Sequence, residues 1–262
     1  MPTPTAVLVV VGSDVLSAKV EDENGPWAAR RLRELGVRLL AIETVPDVVE
    51  DIVGAVDRAR RRADWVFTSG GVGPTHDDVT VAAVARALGR PVERSAELVR
   101  VIRAIHREHH AGAEPPDAAL RMADVPQGTK LLGDAGYPTL MAGNVVMLPG
   151  VPQFFRFQFD RIAHLLEAPP FRLACVFLSV GEGAIAPILD RIARAHPAVE
   201  IGSYPRFDPE ADHRVLVTLE SKDLEAVRAA LAALLPALPE GTVLRTEGPE
   251  SVSYTHLTLP TN

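Results

Sequence analysis

The run Thr68-Ser69-Gly70-Gly71-Val72-Gly73-Pro74-Thr75-His76-Asp77-Asp78-Val79-Thr80 decides both the fold and the candidate site of this chain. An apolar segment at residues 64–69 predicts a strand before it, and a helical pattern follows at residues 78–88. Its closely spaced glycines permit unusual backbone angles and let amide groups approach a ligand. A turn of this kind lies at the carboxyl edge of an α/β sheet, where such folds bind ligands. We therefore predict an anion-binding loop at the start of a helix.

The loop differs from the two most familiar phosphate-binding motifs. It lacks the Gly-Lys-Ser/Thr ending of a Walker A loop and the Gly-x-Gly-x-x-Gly spacing of a dinucleotide fingerprint. Asp77 and Asp78 would repel a phosphate that came alone. They fit a divalent cation bridged to the phosphate, or hydrogen bonds from ribose or pterin groups. In the alternative interpretation, Asp77 or Asp78 serves only as the N-cap of the following helix.

Outward from this loop, strands alternate with amphipathic helices, as in a parallel sheet covered on both faces. Asp47 is placed to cap the helix that ends near Arg62. Residues 113–129 interrupt the alternation and are expected to form a loop with a short helical piece. The expected strands are residues 6–12, 37–45, 64–69 and 145–148, and the expected helices are residues 24–35, 48–62, 78–88, 95–111 and 153–166.

A second domain is expected after Ala168-Pro169-Pro170, because consecutive prolines cannot continue a helix. The pattern that follows is strand, helix, strand, strand, helix, strand, which indicates a split β-α-β fold, an α+β layer of helices on an antiparallel sheet. We therefore assign residues 1–168 to an α/β domain and residues 171–247 to a smaller α+β domain. Residues 251–262 contain neither Ala nor Arg, both abundant upstream, and this indicates a non-native tail. A disordered polar tail is the alternative.

Composition excludes several classes of function. The chain has 262 residues, 47% of them hydrophobic, and a net charge of -7, so no basic field attracts nucleic acid or an anionic membrane. Its single cysteine, Cys175, lies in an apolar run and indicates a core position. The first apolar run is too short for a signal peptide or a membrane span. The expected location is the cytoplasm.

Residues 69–80 closely resemble the signature loop of the molybdopterin-binding fold, shared by molybdenum-cofactor biosynthesis proteins, CinA-like (competence/damage-inducible) proteins and a domain of FAD synthases. The sequence Pro-Thr-His-Asp-Asp-Val-Thr at residues 74–80 is most similar to the loops of the last two groups. Further matches follow in order along the chain: Gly12-Ser13-Asp14 in the first turn, where Asp14 replaces the usual glutamate, Asp22-Glu23-Asn24, Val45-Pro46-Asp47, Arg121, Leu148-Pro149-Gly150-Val151-Pro152 and Ile201-Gly202-Ser203-Tyr204-Pro205.

The resemblance implies a three-layer α/β/α, Rossmann-like domain with a ligand cleft at the glycine loop, and self-association into a homo-oligomer. It makes Asp47 and Asp78 the candidate catalytic pair. The substrate-binding residues that it implies are Gly12, Ser13, Asp14, Asn24, Ser69, Gly70, Gly71, Val72, Gly73, Pro74, Thr75, Asp77, Thr80, Arg121, Pro149 and Gly150.

Three functions agree with this pattern. The first is metal-dependent hydrolysis of a nucleotide pyrophosphate such as ADP-ribose or FAD, with Mg²⁺, Mn²⁺ or Co²⁺ held by Asp78 and Asp77. The glycine-loop amides would stabilise phosphoryl charge, and Arg121 would either clamp the ligand or lie on the surface. The second is molybdopterin binding or adenylylation in cofactor biosynthesis. The third is a module that binds a nucleotide or pterin without turnover.

The histidines of the helix expected at residues 95–111 are interpreted as surface residues. His106, His109 and His110 lie among charged residues, which indicates a solvated helix face rather than a metal site.

Overall fold

The computed structural model describes residues 3–133, 136–208 and 210–249, and the tail at residues 251–262 lies outside these ranges. The chain divides into two compact units, Met1–Ala168 and Pro169–Asn262. The linker expected at Ala168-Pro169-Pro170 lies at this division.

The first unit is built on a sheet with the strand order β2-β1-β3-β8-β7-β6. Strands β2, β1, β3 and β8 run parallel, so their carboxyl ends meet at one edge. The strands of this unit are β1 (Thr5–Val11), β2 (Arg38–Val45), β3 (Trp65–Ser69), β4 (Val92–Arg94), β5 (Asp124–Pro126), β6 (Lys130–Leu132), β7 (Thr139–Ala142) and β8 (Val145–Leu148). Its helices are α1 (Ser13–Leu16), α2 (Asn24–Glu34), α3 (Val49–Arg62), α4 (Thr80–Ala87), α5 (Ala96–His109), α6 (Asp117–Leu120) and α7 (Pro152–Ile162).

Two apolar layers sandwich this sheet. Side chains of β1 alternate between them: Val7, Val9 and Val11 face one layer, and Ala6, Leu8 and Val10 face the other. Helices α3, α4 and α5 supply the first layer, and α2 and α7 supply the second. These six side chains are almost fully buried, which explains why residues 6–11 form an uninterrupted apolar run in the sequence. The expected three-layer α/β/α fold is confirmed.

The sheet is not wholly parallel, contrary to the sequence prediction. Strand β7 pairs antiparallel with both β6 and β8. Only Gly143 and Asn144 connect β7 to β8, and Gly143 has a φ of 61°, as tight hairpins require. Two residues cannot form the long crossover that a parallel neighbour needs.

The structure differs from two further sequence predictions. Within residues 113–129 the expected short helical piece is helix α6, but strand β5, which pairs with β4, was not predicted. Asp47 does not cap α3: the N-cap is Val48, and the helix start has no side-chain cap. One oxygen of the Asp47 carboxylate instead accepts a hydrogen bond from the Ser13 amide, which links the turns after β1 and β2.

The second unit has the strand order β10-β11-β9-β12, with every neighbouring pair antiparallel. The core of this unit lies between that sheet and both of its helices, which confirms the expected α+β fold. Its elements are β9 (Arg172–Leu178), α8 (Glu182–Ala195), β10 (Glu200–Pro205), β11 (Val215–Ser221), α9 (Leu224–Leu234) and β12 (Val243–Glu247). Cys175 is buried on β9, as expected. Across the described ranges, no helix is both long and apolar enough to span a bilayer.

Candidate functional site

A cavity of about 750 Å³ opens at the carboxyl edge of the parallel strands of the first unit. The turns after β1, β2, β3 and β8 all reach it, through Gly12, Asp47, Gly70 and Pro149. Strand β1 has β2 as its neighbour on one side and β3 on the other. The order of the strands therefore reverses at β1. Ligand crevices in open α/β sheets form at such a reversal of strand order.

Two glycines hold the β3–α4 loop in a shape that larger residues cannot adopt. Gly70 and Gly71 have φ values of 98° and 66°. A Cβ on Gly70 would collide with the Val11 carbonyl, and one on Gly71 would collide with the Thr80 hydroxyl. The Thr80 hydroxyl donates to the Gly70 carbonyl at 2.8 Å, and the Thr80 amide donates to the Gly71 carbonyl at 3.0 Å. The loop is therefore fixed by its own backbone against the first turn of α4.

The amides of this loop remain available to a ligand. Within the described residues, the N–H groups of Gly71, Val72 and Gly73 donate no hydrogen bond. All three residues line the cavity and are partly exposed. Successive free amides form a concave anion-binding surface.

The candidate catalytic carboxylates are each tied by one oxygen. Asp47 Oδ2 accepts from the Ser13 amide at 2.7 Å, and the Asp47 amide donates to Ser13 Oγ at 3.2 Å. Asp78 Oδ2 accepts from the Thr75 amide at 2.8 Å and from the Thr75 hydroxyl. Each side chain is thus oriented while its other oxygen stays open, and both line the cavity. The helix-capping alternative for Asp77 and Asp78 is wrong for α4, whose N-cap is Val79 without a side-chain bond.

Two more aspartates add negative charge to the same wall. Asp14 forms an exposed ion pair with Lys19 at 3.1 Å. The exposed Asp77 carboxylate lines the same wall and is ionised at neutral pH, as an aspartate normally is. An anionic ligand therefore meets opposing influences: amides that attract it and carboxylates that repel it.

The carboxylates do not form a ready-made metal cage. No group of three or more His, Cys, Asp or Glu side chains among the described residues is arranged to hold a metal ion. Mg²⁺ does not require such a cage, because it commonly binds through one or two carboxylates together with substrate phosphates and waters. The open oxygens of Asp47 and Asp78 fit that mode of binding.

Other candidate residues support the loop from behind. The buried Asn24 side chain donates to Ser69 Oγ at 2.9 Å and to the Gly150 carbonyl at 2.7 Å, which links α2 to the turns after β3 and β8. Arg121 donates to the Pro74 carbonyl at 2.9 Å and so contacts the loop.

The cavity also has an apolar wall that the sequence reasoning missed. Phe154 is 53% exposed, yet it lines the cavity from helix α7. The other lining residues that were missed are Val11, Met122, Tyr137, Leu140, Met147, Val151 and Gln158. Four phenylalanines between residues 154 and 159 place aromatic rings on more than one face of α7, and this was the available signal.

The structure thus gathers most of the candidate residues and separates the rest into a supporting layer. Those that line the cavity are Gly12, Asp14, Asp47, Gly70, Gly71, Val72, Gly73, Pro74, Asp77, Asp78, Pro149 and Gly150. Those outside the lining are Ser13, Asn24, Ser69, Thr75, Thr80 and Arg121; Ser69 is hydrogen-bonded to Asn24, and each of the others is hydrogen-bonded to a lining residue.

Comparisons with known proteins agree with this architecture. Residues 7–168 match the family described as "Probable molybdopterin binding domain", and residues 170–247 match the one described as "FAD synthase, middle domain". A protein of Archaeoglobus fulgidus is 30% identical, over 86% of this chain and 94% of its own length. A CinA-like protein of Myxococcus xanthus is 32% identical, over 97% of this chain and 63% of its own length.

A solved structure shares the fold of the first unit. The protein CinA of Thermoplasma acidophilum, described as of unknown function, matches with a TM-score of 0.56 at 24% identity, covering 63% of this chain and 98% of that one. The resemblance drawn from the sequence is confirmed.

Proposed function

Because the chain belongs to the molybdopterin-binding-domain family, we propose that its cavity binds a nucleotide pyrophosphate, such as ADP-ribose or FAD, and hydrolyses it with a divalent metal ion. The observation that carries this proposal is one cavity that combines unpaired loop amides, oriented carboxylates and an apolar wall. A nucleotide pyrophosphate presents the matching parts: a diphosphate and a flat heterocycle.

The residues of the chain divide the work between binding and reaction. The amides of Gly71, Val72 and Gly73 face the negative charge that grows on the phosphoryl oxygens. Met122, Tyr137 and neighbouring apolar side chains exclude water from the heterocycle. Mg²⁺, Mn²⁺ or Co²⁺, bound with the diphosphate, would offset carboxylate repulsion and polarise the phosphoryl group.

The proposed reaction is a hydrolysis. The oxygen of a water molecule bonds to one phosphorus, and the bridging P–O bond breaks. The open oxygen of Asp78 or Asp47 accepts the proton of that water, which requires these carboxylates to be ionised. ADP-ribose would give AMP and ribose 5-phosphate. Arg121, held on Pro74, keeps the loop in position.

The test measures AMP release by the full chain from ADP-ribose and FAD with Mg²⁺, Mn²⁺ or Co²⁺. Asp78→Asn keeps the side-chain size but removes the charge, and we expect the rate to fall at least about 100-fold. The matched control is Asp51→Asn, since Asp51 is an exposed aspartate of α3 outside the cavity. Metal-independent release, or equal loss in both variants, would contradict the proposal.

A binding module is the second candidate. The free loop amides and the apolar wall can hold a ligand without a metal ion, and the family description makes molybdopterin the first ligand to test. A pterin ring fits the apolar wall and its phosphate fits the loop amides. Tight binding of molybdopterin or ADP-ribose without turnover under any metal would establish this candidate instead.

A further inference from the structure

A second cavity of about 270 Å³ lies beside the first one in the same unit. The two cavities share Met122 and Tyr137 as lining residues. The Tyr137 hydroxyl donates to the Met122 carbonyl at 2.9 Å, so the shared wall is held together by a hydrogen bond. Helix α5 and its C-cap also line this second cavity, through Ile102 and His106 of the helix and His110 of the cap.

The lining of this second cavity suits a neutral heterocycle rather than a phosphate. The rings of His106 and His110 stack at 4.0 Å between centroids, with only 10° between their planes. Among the described residues, no aspartate or glutamate lines this cavity, whereas four aspartates line the first one. Isoleucines of α5 complete an apolar and aromatic surface on which a flat ring can lie.

Hydrogen bonds hold the rings of His106 and His110 in place. Nδ1 of His106 lies 3.1 Å from the Ala113 carbonyl, and Nδ1 of His110 lies 3.1 Å from the His106 carbonyl. A carbonyl only accepts, so each Nδ1 carries a proton. The surface that lines this cavity is almost entirely apolar, so the histidines present ring carbons to it rather than ring nitrogens. A flat heterocycle can stack on such a surface.

We propose that this second cavity, which we call the imidazole pocket, binds the second heterocycle of a dinucleotide-type pyrophosphate whose diphosphate lies at the glycine loop. The inference rests on the proposed function and deepens it, since it selects substrates with a ring at each end over those with one. One ring would occupy the apolar wall near Phe154, and the other would pass over Met122 and Tyr137, which line both cavities, to reach His106.

The experiment is calorimetric titration of the full chain with ADP-ribose, which has one heterocycle, and with FAD, which has two. Ca²⁺ replaces the catalytic metals, and chromatography verifies that both ligands stay intact. We expect FAD to bind at least about tenfold more tightly than ADP-ribose. His106→Ala should weaken FAD binding roughly 5- to 150-fold, the range for loss of one base stack, and change ADP-ribose binding less than about twofold.

Glu108→Ala is the matched control, because Glu108 is an exposed α5 residue outside the imidazole pocket. Circular dichroism checks that both variants keep the wild-type helix content. Equal affinity of the wild-type chain for the two ligands, or an equal effect of His106→Ala on both, would overturn the inference and leave the proposed function intact. Binding of neither ligand would overturn both.

Discussion

Single residues of the β3–α4 loop act through backbone shape as much as through side-chain chemistry. Gly70 and Gly71 contribute no side chain, yet they allow the loop amides to face the cavity. The carboxylate of Asp78 is held by Thr75 within the same loop. The binding surface and its charged neighbour are therefore parts of one short, internally bonded segment.

Gly70→Ala should lower the free energy of unfolding more than the same substitution at Gly89. The left-handed backbone alone costs about 1–2 kcal/mol, and the collision with the Val11 carbonyl adds to it. Gly89→Ala is the matched control: its φ is 63°, but its surroundings are open. We expect urea unfolding to show a clearly larger loss for Gly70→Ala, with loss of ADP-ribose binding in that variant alone. Equal losses would show that the contact with β1 is unimportant.

The residues of this loop were predictable from sequence, whereas those of the apolar wall were not. Closely spaced glycines before a helix indicate a backbone that approaches a ligand, and the adjacent aspartates indicate a charged neighbour, so residues 70–78 carry their signal locally. Met147 and Leu140 are indistinguishable in sequence from any buried strand residue, since only the fold turns them towards a cavity. The phenylalanines of α7 indicate aromatic rings on more than one face, but no local rule says that Phe154 is exposed while Phe155 and Phe159 are buried.

At the scale of secondary-structure elements, short strands outside the main parallel sheet shape the rim of the site. Strands β4 and β5 pair with each other, and the 3₁₀ turn Arg121–Ala123 leads directly into β5. That turn contains Met122 of the shared wall and Arg121 of the loop contact. The sequence prediction placed a loop and a short helical piece here and missed the strand, because three-residue strands lack a measurable alternation.

The β4–β5 pair should make a pH-dependent contribution to stability. Arg94 binds Asp124 with two hydrogen bonds of 2.7 and 2.8 Å, and the guanidinium lowers the pKa of that carboxyl. A depressed pKa in the folded state means that the contribution is present above the unfolded pKa of about 3.9 and is lost as the pH falls through the folded value. Because the pair is partly exposed and screened by solvent, we expect this contribution to be small.

A double-mutant cycle measures this contribution. Asp124→Asn and Arg94→Gln should each lower the free energy of unfolding near neutral pH, and the double variant should lose little more than either one. The difference between wild type and Asp124→Asn should shrink below about pH 4. Additive losses, or a difference that grows with acidification, would contradict the assigned pair.

At the scale of the whole molecule, the candidate site belongs to one unit. Every residue that lines the 750 Å³ cavity lies between Val11 and Gln158. The second unit has a separate core of its own between a sheet and two helices. Two cores that each close within a continuous stretch of chain indicate two domains that fold separately.

A fragment of residues 1–168 should therefore bind ADP-ribose like the full chain, within about twofold. Calorimetric titration of both proteins measures this, with circular dichroism to verify that the fragment is folded. A folded fragment with greatly weakened binding would show that the second unit contributes to the site.

The cavity can be complete only after most of the first unit has been synthesised. Its walls come from the end of β1 and from α7, which follows much later in the chain. Pairing segments that are distant in sequence is the slow part of forming a sheet. A nascent chain that lacks α7 has the glycine loop but only part of the enclosure. The proposed ligand would then stabilise chains whose first unit is complete, and it would leave truncated chains without that stabilisation.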